Sequence, residues 1–140
     1  MIQGGHLLNI LLVEDDEVDV MNVKRAFQEA HITNPLFVAE DGLEALAKLR
    51  GGEIPSHRRL VLLDLNMPRM NGIEFLRELR NDPELAATPV VVLTTSAMER
   101  DKFEAYNLNI AGYLVKPVTF ADFCDLIITL NKYWALVELP

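Results

Sequence analysis

A chain of 140 residues, 50% hydrophobic and 24% charged, has the size and balance of one ordinary folded domain. A net charge of −8 with no run of Lys or Arg argues against a nucleic-acid partner. The single cysteine, Cys124, rules out an internal disulfide and fits a reducing compartment; beside Phe120, Phe123 and Ile127 it reads as a small buried apolar residue.

Residues 1–6 read as a loose lead-in. The apolar stretch 7–13 is too short, and ends too acidically in Glu14-Asp15-Asp16, for a signal peptide or membrane span, so a cytoplasmic chain with no membrane partner is expected. Leu8 and residues 10–13 read as a first buried strand. A helix over 18–30 follows, with Val20, Val23, Phe27 and Ala30 on one face and Asp16 placed to cap it. Asn34-Pro35 breaks that helix, and residues 36–39 form a short second strand. Asp41-Gly42 leads into a helix carrying Leu43, Leu46, Ala47 and Leu49, ended by Gly51-Gly52 and a polar, Pro-containing loop over 53–59. A third strand over 60–63 runs into Asp64, and a helix over 72–80 stops at Asn81-Asp82-Pro83. A fourth strand over 90–93 ends in Thr94, Thr95 and Ser96. A fairly polar helix over 98–107, a fifth strand over 112–115 closing at Lys116-Pro117, a last helix over 120–134 and an apolar tail complete the chain.

Continuous apolar strands separated by single helices predict a parallel sheet covered on both faces. Right-handed crossovers leave few arrangements, and a flavodoxin-like, doubly wound α/β sheet of five strands in order 2-1-3-4-5 with five helices fits best. One domain over 1–140 is expected, with its core over about 8–133 and a tail over 134–140. No repeat, low-complexity segment or linker interrupts it, and a separate DNA-binding output domain is not expected.

In such a sheet the ligand site lies beyond the carboxyl ends of the strands. Glu14-Asp15-Asp16, Asp64, Thr94 and Lys116 follow four different strands and so converge from distant parts of the chain. Crowded carboxylates raise one another's pKa unless a cation neutralises them. With only oxygen donors and no His or Cys nearby, a hard ion is implied, and Mg2+ is the natural guest.

The motifs Leu-Val-Glu-Asp-Asp at 12–16, Leu-Leu-Asp-Leu-Asn-Met-Pro at 62–68 with Gly72 following, Val-Leu-Thr-Thr-Ser at 92–96 and Tyr-Leu-Val-Lys-Pro at 113–117 resemble those of bacterial response-regulator receiver domains, which include the chemotaxis regulator. The resemblance spans residues 8–133. It implies a two-component signalling protein that accepts a phosphoryl group from a sensor histidine kinase on Asp64 and then changes conformation or partner. Such a protein is a switch with self-catalysed phosphoryl transfer and autodephosphorylation only, not a turnover enzyme. The resemblance also implies that Asp15 and Asp64 hold Mg2+, with Glu14 acting through a water and the Asn66 backbone carbonyl as a further ligand. Thr94 would bind a phosphoryl oxygen, and Lys116 would pair first with Asp64 and then with the phosphoryl group. Tyr113 occupies the family's aromatic switch position, turning inward as Thr94 moves. Lys116-Pro117 is expected to be cis.

Glu14 stands where the chemotaxis regulator has Asp, and both the 53–59 loop and the tail are longer than in the shortest receivers. These two features are similar to small receivers that partner phytochrome-type histidine kinases. The surplus apolar residues Ile128, Leu130, Leu136, Val137 and Leu139 predict a homodimer through the last helix, the fifth strand and the tail, unless the tail folds back on its own domain. The downstream partner is not specified by any motif. A metal-dependent phosphatase with an aspartate nucleophile would need a second carboxyl at position 66, where Asn66 stands. A flavin or nucleotide module would need a Gly-rich loop after the first strand, and none is present.

Overall fold

The computed structural model describes residues 7–140; the lead-in over 1–6 lies outside them. The elements alternate without exception: β1 (Asn9–Val13), α1 (Glu17–Glu29), β2 (Leu36–Ala39), α2 (Gly42–Arg50), β3 (Arg59–Leu63), α3 (Gly72–Asn81), β4 (Val90–Thr94), α4 (Glu99–Asn107), β5 (Gly112–Val115) and α5 (Phe120–Leu136). The sheet is parallel in order β2-β1-β3-β4-β5, the expected flavodoxin-like arrangement. No helix among the described residues is long and apolar enough to cross a membrane.

Because successive strand residues point to opposite faces, each strand feeds two cores. Leu11, Val13, Val61, Leu63, Val90 and Val92 pack with Leu46, Phe75, Leu76 and Leu79 of α2 and α3. Ile10, Leu12, Leu60, Leu62, Val91 and Leu93 pack with Val23 and Phe27 of α1 and with Phe123, Ile127 and Trp134 of α5. Fully burying one such side chain stabilises the fold by about 1.5–3 kcal/mol, so the two layers together hold the strand ends in fixed register.

Helix starts follow local chemistry. Asp16 caps α1 by accepting from the amides of Val18 and Asp19, as expected. Asn71 and Glu74 form a reciprocal capping box at α3, and Thr119 caps α5. The helix faces differ in places from the expected ones. In α2 the buried residues are Ala45, Leu46 and Leu49, while Leu43 and Ala47 face solvent. The start at Gly42 sets the phase, and Leu43 falls on its outer side. In α5, Leu130 joins Phe123, Ile127 and Trp134 in the core, and Phe120 and Cys124 are only half-buried at its edge. Phe120 is covered from outside by the Arg25 guanidinium, 4.0 Å from the ring centre.

The tail folds back on its own domain. Leu139 packs against the α1/α5 core, and the Pro140 carbonyl accepts from the Arg58 amide at 2.9 Å. Leu130, Val137 and Leu139 therefore find partners within the chain, whereas Leu136, Tyr133 and Ile128 stay exposed. The described residues contain no cis peptide, so Lys116-Pro117 is trans, the isomer an X–Pro bond prefers when nothing overrides it.

Candidate functional site

The sheet's register assembles the site before any side chain is considered. Val13 lies opposite Leu63, and Thr94 opposite Val115, so the residues that follow these strands emerge side by side. Backbone bonding continues past the strand ends: the Glu14 amide donates to the Ala39 carbonyl, the Asp64 amide to Val13, and the Lys116 amide to Thr94. Three residues expected in the site are thus anchored by their own main chain. Gly72 lets the following turn close against them, since a Cβ there would meet the Asp64 carbonyl oxygen and the Leu65 Cα at 2.7 Å.

Glu14, Asp15 and Asp64 come together, each offering an oxygen within 4.8 Å of the others. Glu14 is 3% exposed and Asp64 6%, while Asp15 opens to solvent. A buried pair closed by one exposed carboxylate suits a hard divalent cation that keeps part of its water shell, so the donor set fits Mg2+ or a similar ion. Asn66 is exposed on the loop between β3 and α3, two residues beyond Asp64.

Thr94 is fully buried, and its hydroxyl donates to Asp64 Oδ1 at 2.7 Å. Lys116 does not pair with Asp64 directly. Its ammonium lies on Glu14 Oε1 at 2.6 Å and Asp19 Oδ2 at 3.0 Å. The physical reason is that Glu14 is the more buried carboxylate and has no hydroxyl donor, whereas Asp64 already has Thr94. Burial works to lower the pKa of Lys116, but Glu14, Asp19 and Asp64 outweigh it and hold the ammonium above its ordinary value. Burial, countered in part by Lys116 and reinforced by the Asp64 charge, pushes Glu14 up to about 7. Near neutral pH the cluster therefore has a proton to exchange for a cation.

From Thr94 a hydrogen-bonded chain runs outward. The Ser96 amide approaches the Thr94 hydroxyl at 3.4 Å, and the Ser96 carbonyl accepts from the Tyr113 hydroxyl at 2.9 Å. Ser96 Oγ donates to Asp101 at the start of α4. Tyr113 is half-buried against the α3-side core, and burial raises its pKa. The structure thus ties Asp64 to Tyr113 and α4 through one loop.

Sequence reading missed Asp19 and Asp101. Asp19 was legible in principle, because it lies four residues before the buried Val23 and so on the same inward face of α1.

A profile of the response regulator receiver domain matches residues 10–128. The chain belongs to the response-regulator receiver family. This receiver is 38% identical over 135 residues to the response regulator Rcp1 of Synechocystis sp., covering 94% of this chain and 92% of that protein. It is 38% identical over 130 residues to a probable methanogenesis regulatory protein, FilR2, of Methanothrix harundinacea, covering 89% of this chain and 82% of that one. Among solved structures, the phosphorylated cyanobacterial phytochrome response regulator RcpA superposes with a TM-score of 0.85 at 35% identity, covering 96% of this chain and 99% of that one. The Mn2+-bound form of Rcp1 superposes with a TM-score of 0.82 at 38% identity, covering 95% and 99%. The family is one of phosphoacceptor switches, and within it this receiver is similar to phytochrome response regulators and to chemotaxis proteins.

Proposed function

We propose that this receiver takes a phosphoryl group from a sensor histidine kinase onto Asp64 and thereby switches the loop that joins Thr94, Ser96 and Tyr113. The convergence of Glu14, Asp15 and Asp64, with Thr94 bonded to Asp64, supports this most directly. Glu14, Asp15, Asp64 and the Asn66 backbone carbonyl would hold Mg2+, which when bound neutralises charge on the transferring oxygens. An Asp64 oxygen forms the new bond to phosphorus, and the phosphorus–nitrogen bond of the donor phosphohistidine breaks with its electron pair going to the imidazole. The Thr94 hydroxyl turns from Asp64 to a phosphoryl oxygen, and the Lys116 ammonium, within reach of the same edge, leaves its carboxylate partners for the phosphoryl group. As Thr94 moves, the Ser96 segment moves with it and carries Tyr113. Hydrolysis of the acyl phosphate resets the switch, so no further substrate is turned over.

The test is incorporation of label from acetyl phosphate. Uptake should require Mg2+, be acid-stable and alkali-labile, and vanish in Asp64→Asn. Uptake by that variant at the wild-type rate would remove Asp64 as acceptor.

We further propose a phytochrome-type kinase as the donor, supported by the similarity to RcpA and to bacteriophytochrome response regulators. Transfer should be faster from a phytochrome kinase than from a chemotaxis kinase presented at equal concentration, and equal rates would overturn the preference. With Val137 and Leu139 taken up by the chain itself, the surface left for a homodimer is that of α5 and β5, supported by the exposed Val115, Ile128, Tyr133 and Leu136. Sedimentation with and without a phosphoryl mimic tests it, and a monomer in both states would overturn it.

A further inference from the structure

Asp41 and Arg69 stand outside the carboxylate cluster, yet they join the segment after β2, to which Glu14 is bonded, to the loop that follows Asp64. Asp41 lies two residues beyond Ala39, whose carbonyl receives the Glu14 amide. Arg69 lies three residues beyond Asn66, with Pro68 between them limiting the freedom of the loop. The Asp41 carboxylate is 2% exposed. One oxygen accepts from the Glu44 amide at 2.9 Å, capping α2, and the other receives Arg69 Nε at 2.6 Å together with Arg69 Nη2.

Two further observations place the load on this contact. Arg69 adopts a φ of 61°, a left-handed conformation that a residue with a long side chain rarely takes without tertiary support. Beside it, the Gly42 amide donates to the Met70 carbonyl at 3.2 Å, and a Cβ on Gly42 would meet Met70 Cγ at 2.7 Å. The loop between β3 and α3 is therefore seated on the start of α2, fastened by one side-chain pair and one backbone bond.

We infer that Asp41 and Arg69 are positioning residues, a latch that sets where the loop presents Asn66 to the cation and so sets divalent-cation affinity. The inference rests on the metal site proposed above. The Arg69 end of the pair is 63% exposed and the Asp41 end 2%, so solvent at the guanidinium screens the pair and reduces what it adds to global stability; its effect is geometric, on the loop. Groups that orient ligands from outside the coordination shell typically change metal affinity 10–100-fold, and about tenfold is expected here.

The experiment is a titration of the full chain with Mn2+ alone, followed by the electron-paramagnetic signal of the free ion, beside thermal melts of the metal-free protein. Asp41→Asn keeps an α2 cap of equal quality but discharges the pair. Arg69→Gly suits the left-handed backbone but removes the guanidinium. Both should bind Mn2+ about tenfold more weakly at an unchanged melting temperature, with Arg69→Lys recovering part of the loss. Labelling from acetyl phosphate should return to near the wild-type rate once the cation saturates. Wild-type affinity in both variants, alongside weakened binding in Asp15→Asn, would overturn the latch and leave the metal site standing. Wild-type affinity in Asp15→Asn would overturn the metal site beneath it. A loss of affinity only in variants that also melt earlier would overturn the latch too.

Discussion

The two edges of the sheet treat polar groups in opposite ways. At the carboxyl edge Glu14, Asp64, Thr94 and Lys116 are buried or half-buried and bonded chiefly to one another. At the amino edge the acceptors are backbone carbonyls: the Asn9 side chain donates to His57, the Asn34 side chain to Leu8, and the Arg58 backbone amide to Pro140. A side chain bonded to a backbone carbonyl cannot leave it without stranding that carbonyl, so these bonds act as anchors. Side chains that satisfy each other can exchange partners for a cation or a phosphoryl oxygen at little cost, because each still ends with a partner. The same sheet thus carries an anchoring edge and an exchangeable one.

The largest expected contrast comes from one substitution at each edge. Lys116→Met should slow labelling from acetyl phosphate by about 10²-fold, the usual loss when one charge-stabilising group is removed. Leu130→Ala, in the core beneath the tail, should cost about 2–5 kcal/mol in a denaturant titration while leaving the labelling rate of the folded protein within about twofold. If Leu130→Ala slowed labelling as much as Lys116→Met, the edges would not be independent.

A smaller effect should appear with pH. Glu14 sits at about 7 in the folded protein against its ordinary 4.5. Between those values the folded state holds a proton that the unfolded state has lost, so Glu14 makes the metal-free protein less stable as pH rises through that window. The raised Lys116 has the same sign at the alkaline end: its stabilisation is full across the Glu14 window and is lost as pH rises from its ordinary value through its folded one. Melting temperatures in chelator should show a shallower decline between about pH 4.5 and 7 in Glu14→Gln than in wild type. Parallel declines would mean that Glu14 is not the group responsible.

The smallest effect is expected at Trp134. Its ring packs at 6.3 Å from Phe27, its Nε1 donates to Asn131, and it lies near Leu8 before β1. About 14 helical residues at about 1.5 Å each carry it roughly 20 Å from the carboxylates. Mg2+ should leave its emission unchanged within a few per cent. Strong quenching that disappeared in Asp15→Asn would place the ring near the cation.

Local periodicity and strand-end chemistry made the fold and most of the site legible. Leu36–Ala39 and Gly112–Val115 were bounded correctly because turn residues flank short apolar runs. Glu14, Asp15, Asp64, Thr94 and Lys116 could be grouped because a parallel sheet brings all its strand ends to one edge. Which residues of α2 are buried was not legible, because three leucines and two alanines leave the phase of a nine-residue helix open until Gly42 fixes its start.

By itself, then, the sequence determined the order of elements, the sheet and the family, since all three follow from residue types at short or regular spacing. Tertiary structure alone decided which partners the charged groups took. Lys116 chose Glu14 and Asp19 over Asp64, Arg69 reached Asp41 across the chain, and the tail turned back to give Leu139 a core and Pro140 a donor. Each of these choices depends on distances between side chains far apart in sequence and on which neighbour is more deeply buried. Coulomb and hydrogen-bond energies change steeply over such distances, and no pattern along the chain encodes them.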